Sequence, residues 1–167
     1  MAPWIVKHLG RWVGILRELD EQILQAKLEL AKQWQGPRPK GMGALSLVQL
    51  GAEVLDWNLY SNRRKMGCLA GMVPSEWSTG EGQRLGSITK VGVPAIRRIL
   101  TEMVWRMILF QPEYKGIQKW QEVLKGSNRG LKKKAVVAIA RQLIVDIWRL
   151  QTGRITAQAL GLIMIEA

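Results

Sequence analysis

The chain is poor in the residues from which many catalytic sites are built. It has one histidine, His8, and one cysteine, Cys68. A single histidine near a terminus leaves no serine–histidine or cysteine–histidine pair to expect. A single cysteine excludes a disulfide framework and a cysteine-rich zinc site. Cys68 stands in an apolar turn, MGCLAGM, and reads as a small core residue. No run of about twenty apolar residues occurs, and the start lacks a signal-like apolar block. The expected protein is therefore intracellular, cytoplasmic or nucleoid-associated, with no membrane partner. Repeats and strand-like alternating runs are also missing, which leaves an all-α fold as the expectation.

Negative charge is the other scarcity. Thirteen Asp and Glu face 25 Lys and Arg, a net charge of +12 with a pI near 10.4. Such an excess repels itself in a folded chain unless a polyanion neutralises it, so nucleic acid is the expected partner. The carboxylates are scattered on helix faces, and no metal-ligand set is expected. With 167 residues and 47% hydrophobic content the chain can bury one ordinary core.

Two parts are expected, residues 1–35 and 36–167. From Trp12 the apolar positions Leu16, Leu19, Ile23, Ala26 and Leu30 follow at alternating spacings of four and three. That is a heptad seam on a helix ending near Trp34, suited to a coiled coil between protomers or to packing within one domain. Gly36, Pro37 and Pro39 end the helix. Lys40, Gly41 and Gly43 then open another, in the manner of a helix-hairpin-helix unit whose backbone N–H groups hold a phosphate. A short basic helix follows, with Ser61 as N-cap and Arg63, Arg64 and Lys65 exposed. Pro94 to Phe110 carries a wide apolar stripe and reads as a strong helix, with Trp105 on its core side and Arg97 and Arg98 on the other. A short helix is expected from about Tyr114. Residues 126–134, GSNRGLKKK, read as a flexible basic loop in which Lys132, Lys133 and Lys134 track a phosphate backbone, ahead of a last helix from about Lys133 to Gln151.

Between the helical regions lies GMVPSEWSTGEGQRLGSITKVGVPAIRR, Gly71 to Arg98. It combines a proline, the hydroxyls of Ser75, Ser78 and Thr79, closely spaced glycines, and the cations Arg84, Lys90, Arg97 and Arg98. It reads as a reactive loop that approaches a phosphate.

The segments Gly71-Met72-Val73-Pro74, Trp77, Thr79-Gly80, Ile88-Thr89-Lys90-Val91-Gly92 and Ile96-Arg97-Arg98 resemble, in order, the C-terminal domain of the DEDD-type insertion-sequence transposases. Those enzymes join an acidic RuvC-like domain to a helical domain bearing a serine nucleophile. The resemblance spans about Gly41 to Leu162 and implies DNA transposition through a hydroxyl nucleophile and a covalent protein–DNA intermediate. It places the nucleophile at Thr79, while the less hindered hydroxyl is that of Ser78. It also implies Mg2+ held by the acidic domain and none in this chain, a structured guide RNA as a further partner beside DNA, and protomers assembled through the N-terminal helix. Because the acidic domain has no counterpart here, the expected molecule is a truncated C-terminal part, inactive alone. The alternative is a non-catalytic basic helical module that binds DNA or RNA.

Overall fold

A computed structural model describes residues 3–79 and 82–166. The architecture is mostly helical. Helix α1 (Pro3–Lys32) leads through strand β1 (Arg38–Pro39) into α2 (Ala44–Val54) and α3 (Arg63–Leu69). Strands β2 (Pro74–Thr79) and β3 (Gly82–Ile88) separate these from α4 (Pro94–Phe110). The short helices α5 (Lys115–Gln118) and α6 (Gln121–Lys125) precede α7 (Arg129–Gln151), and strand β4 (Met164–Ile165) closes the chain.

The core forms where α4 packs on α7, with α2 against α4 and α3 against α7. The apolar stripe of α4 supplies Ile96, Ile99, Leu100, Met103, Val104 and Met107, all buried. Helix α7 answers with Val136, Ala140, Leu143 and Ile147. Burying each of these side chains other than Ala140 is worth roughly 1.5–3 kcal/mol. Pro94 occupies the first turn of α4, where its missing N–H leaves no intrahelical bond unmade. Gly153 follows α7 with φ +68, the left-handed turn that ends a helix.

Gln111 ties the two ends of the compact part together. It is fully buried, its Nε2 donates to the carbonyls of Lys40 (2.9 Å) and Ile163 (2.8 Å), and its Oε1 accepts from Ile163 N–H (2.9 Å). Strands β1 and β4 thereby pair antiparallel at the Phe110 end of α4.

Helix α1 is different. Its apolar side chains from Trp12 to Leu30 are exposed, with Trp12 63%, Leu16 57% and Leu19 49% accessible.

Five local expectations are corrected. The Gly71–Arg98 stretch is not an open loop, because Pro74–Thr79 and Gly82–Ile88 pair as an antiparallel hairpin. Residues 126–134 are not a flexible loop either. Asn128 accepts hydrogen bonds from Gly130 N–H and Leu131 N–H, and this cap starts α7 at Arg129. The same chemistry makes Asn62, not Ser61, the cap of α3. Trp105 is 47% exposed, because the buried stripe of α4 passes it by. Cys68 is also exposed: α3 turns its Met66 and Gly67 inward and Cys68 away.

Candidate nucleic-acid interface

The hairpin is rooted between the end of α3 and the start of α4 by backbone hydrogen bonds. Gly71 N–H donates to Cys68 (2.8 Å), Lys90 N–H to Gly71 (3.0 Å), Thr89 N–H to Val73 (2.9 Å) and Val93 N–H to Leu69 (2.8 Å). Gly71 (φ +62), Lys90 (φ +56) and Gly92 (φ +158) all lie in the left-handed region here. For Lys90 this conformation is a local strain held by its surroundings. Arg97, expected to face a phosphate, donates instead from Nη1 to the carbonyl of Ala70 (2.9 Å) and, at 3.4 Å, to that of Lys90. In this arrangement its guanidinium secures the root. Lys90 and Arg98 are exposed beside it.

The strands do not match residue for residue. Pro74 pairs with Ile88 and Glu76 with Leu85, so Ser75 on β2 stands opposite both Gly86 and Ser87 on β3. Such a bulge bends a ribbon and re-aims its side chains. Ser75 Oγ donates to the carbonyl of Ser87 at 3.0 Å, and a Cβ on Gly86 would collide with that hydroxyl. The backbones of Ser78 and Thr79 pair with Gln83 and Gly82. The side chains of Ser78, Thr79 and Arg84, like all of Gly80 and Glu81, lie outside the described residues.

The bulge forms one wall of a cavity of about 800 Å³. Its other walls are α3, the α5–α6 junction and one face of α7. On α7 the lining residues Lys134, Ala138, Arg141, Val145 and Arg149 recur at helical spacing, alternating cation and apolar side chain. Arg63 and Arg64 face them from α3, Lys119 from the junction, and Lys133 from the start of α7. Among the described residues seven cations thus converge, and none of those that line the cavity is acidic. Field lines of one sign focus in a cleft of this kind, and phosphates are the groups it attracts.

Four of the residues expected from sequence, Arg63, Arg64, Lys133 and Lys134, are brought together here. Lys65 is exposed on α3 and Lys132 is half-buried on α7, but neither lines the cavity. Lys119, Arg141 and Arg149 were missed, because each stands alone in the sequence and only the packing of α3 on α7 collects them. Periodicity along α7 was the available signal. Lys40, Gly41 and Gly43 belong elsewhere. They lie by the Phe110 end of α4, with a Cβ on Gly41 calling for space 3.1 Å from the Phe110 side chain, while the hairpin root is at the Pro94 end. A helix of 17 residues separates the two places, roughly 25 Å.

Under the cavity Tyr114 donates to Asp146 Oδ2 at 2.7 Å and Gln142 Nε2 to Oδ1 at 2.9 Å, while Arg149 Nη1 is 3.6 Å from Oδ1. Desolvation pushes the Asp146 carboxyl above its ordinary 3.8, against the lowering effect of the Tyr114 and Gln142 hydrogen bonds and the Arg149 charge. Burial and the adjacent carboxylate push the Tyr114 hydroxyl up. With the folded pKa raised, the stability linked to Asp146 is complete below the unfolded pKa and is lost as pH rises through the folded one. Asp146→Asn should flatten that decline in urea titrations carried upward from about pH 4. A decline of unchanged size in the variant would show that another group causes it.

Residues 38–118 match the model of the IS116/IS110/IS902 transposase family. That segment holds α2, α3, the hairpin, α4 and α5. The chain is 30% identical over 112 residues, 66% of its length, to the putative transposase y4rJ of Sinorhizobium fredii. It is 25% identical over 159 residues, 91% of its length, to the transposase for insertion sequence element IS1328 of Yersinia enterocolitica. It spans 28% and 47% of those two proteins respectively. These similarities support a transposase family for the chain. Among the described residues no helix is long and apolar enough to cross a membrane.

Proposed function

We propose that this chain is the DNA-binding, hydroxyl-bearing part of an insertion-sequence transposase of the DEDD type, with the cleft between the hairpin and α7 holding the DNA backbone. The convergence of seven cations on a cavity walled by the hairpin carries this reading. The family match across the hairpin and the exposure of Lys90 and Arg98 beside its root support it. Phosphate contacts of this kind position a strand without reading its bases. In this reading Lys40, Gly41 and Gly43 form a second backbone contact, roughly one α4 length away.

The reaction is transesterification. The hydroxyl oxygen of Thr79 or Ser78 forms an ester bond to phosphorus and gives up its proton, and a strand oxygen leaves and is protonated. The bond energy is kept in the protein–DNA link for rejoining. Among the described residues no three His, Cys, Asp or Glu side chains come together to hold a metal ion. The family resemblance assigns the metal of this reaction to an acidic domain, and the proposal follows it. In a reaction supplemented with an acidic-domain protein and yielding adducts with the unaltered chain, Ser78→Ala/Thr79→Ala should abolish the covalent product on denaturing gels. Undiminished adducts in the double variant would remove both residues from the chemistry.

The exposed apolar stripe of α1 supports a further element of the proposal, self-association through a coiled coil. Leu16→Glu/Ile23→Glu should lower the mass found by light scattering to that of one chain. An unchanged multimer would place the contact elsewhere. A guide RNA fits the same basic cleft. Its presence would appear as a protected RNA species copurifying with the complex.

A further inference from the structure

The cleft is more than a cationic track. Its floor is apolar: Met72 is buried there, and Ile88, Val137 and the indole of Trp120 are half-buried. Trp120 is half-buried against the core and lines the cavity, and among the described residues no group accepts a hydrogen bond from its ring nitrogen. A duplex presents its phosphates on a convex surface, so holding it needs charge but no deep recess. A cavity of about 800 Å³ with an aromatic wall and a cationic rim suits something flat and apolar attached to a phosphate. A nucleobase is such a group, and an unpaired one leaves the stack at the lowest cost, since no base pair has to be broken.

We propose that the cavity takes an unpaired base of a nucleic-acid strand, stacked on Trp120, while Arg64, Lys134 and Arg141 hold the phosphates on either side. The inference rests on the reading of the cleft as a nucleic-acid interface and adds to it the strand state it selects. Base stacking on an aromatic side chain tolerates any base, because each has a π-face. Selection is therefore for single-strandedness and not for sequence. A DNA strand and an RNA strand share this chemistry.

The test uses the full chain and fluorescence anisotropy at several salt concentrations. The probes are a ten-nucleotide thymidine strand, the uridine ribo-strand, an abasic strand of equal length and charge, and a blunt duplex. The expected result is a loss of about tenfold or more on removing the bases, with an unchanged salt slope, and weaker binding per strand for the duplex. Trp120→Leu should bring the ratio between base-bearing and abasic strands towards one, and Trp120→Tyr should restore it. Whichever sugar shows the base dependence identifies the strand. Equal binding of abasic and base-bearing strands, for both sugars, overturns the proposal and leaves a backbone clamp. A base dependence that Trp120→Leu leaves untouched moves the base to another site and also overturns it. Loss of salt-dependent binding to every probe would overturn the underlying interface as well.

Discussion

Replacing Arg64 and Arg141 together by glutamate should weaken binding of a DNA duplex by roughly 10²-fold at about 0.1 M salt. The two side chains are exposed on facing elements, α3 and α7, and both line the cavity. A neutralised phosphate contributes about 0.9 to the slope of log affinity against log salt, so losing two contacts costs close to two decades at that salt. The slope itself should become shallower by about two. Arg11→Glu/Arg17→Glu is the matched control, since it changes the net charge equally at exposed positions on α1. If the control weakened binding as much as the cleft variant, overall charge and not convergence would be the cause. The substitutions themselves leave the core untouched.

Gly92→Ala should destabilise the chain by about 2–4 kcal/mol in urea unfolding. At φ +158 the backbone is already in a region that L side chains rarely adopt. A Cβ there would stand 2.5 Å from Gly71 N and from the Leu69 carbonyl oxygen, which take part in the hydrogen bonds that root the hairpin. Neither atom belongs to a side chain that can swing away. Gly82→Ala on β3 meets nothing within 4 Å and should cost less than about 1 kcal/mol. Equal costs at the two positions would mean that the root is not the tight junction described. Hairpin placement should fail with the root, so Gly92→Ala is also expected to weaken DNA binding without removing a single charge.

The helices were legible because their signals are local. The stripe from Ile96 to Met107 has the period of a helix, Pro94 marks its first turn, and Gly153 marks the end of α7. Asn128 was overlooked because the glycines and lysines around it suggested a loop, whereas one side-chain oxygen satisfying two N–H groups is enough to begin a helix. The hairpin escaped for a different reason. Its strands carry serine, threonine and glycine in place of an alternating apolar face, and Glu76, Trp77, Gly82, Gly86 and Ser87 are exposed while Pro74 and Ile88 at the root are half-buried. Its one sequence signal is the spacing. Two residues, the first a glycine, separate Thr79 from its partner Gly82. The cleft was half legible. Clustered cations such as Arg63-Arg64 and Lys133-Lys134 stand out in one dimension, but Lys119, Arg141, Arg149 and the floor residue Trp120 come together only through the contact of α3 and α6 with α7. The resemblance located the hydroxyls without indicating that their backbone is a strand.

The most direct test of the cleft as the nucleic-acid interface is a map of photo-crosslinks from a 4-thiothymidine-labelled DNA, read by mass spectrometry of the digested complex. Crosslinks are expected on the hairpin and on the α3 and α7 walls, including peptides that contain Arg64, Trp120 and Arg141. Crosslinks confined to α1 or to the Lys40–Gly43 end, with the cleft peptides unmodified, would contradict it.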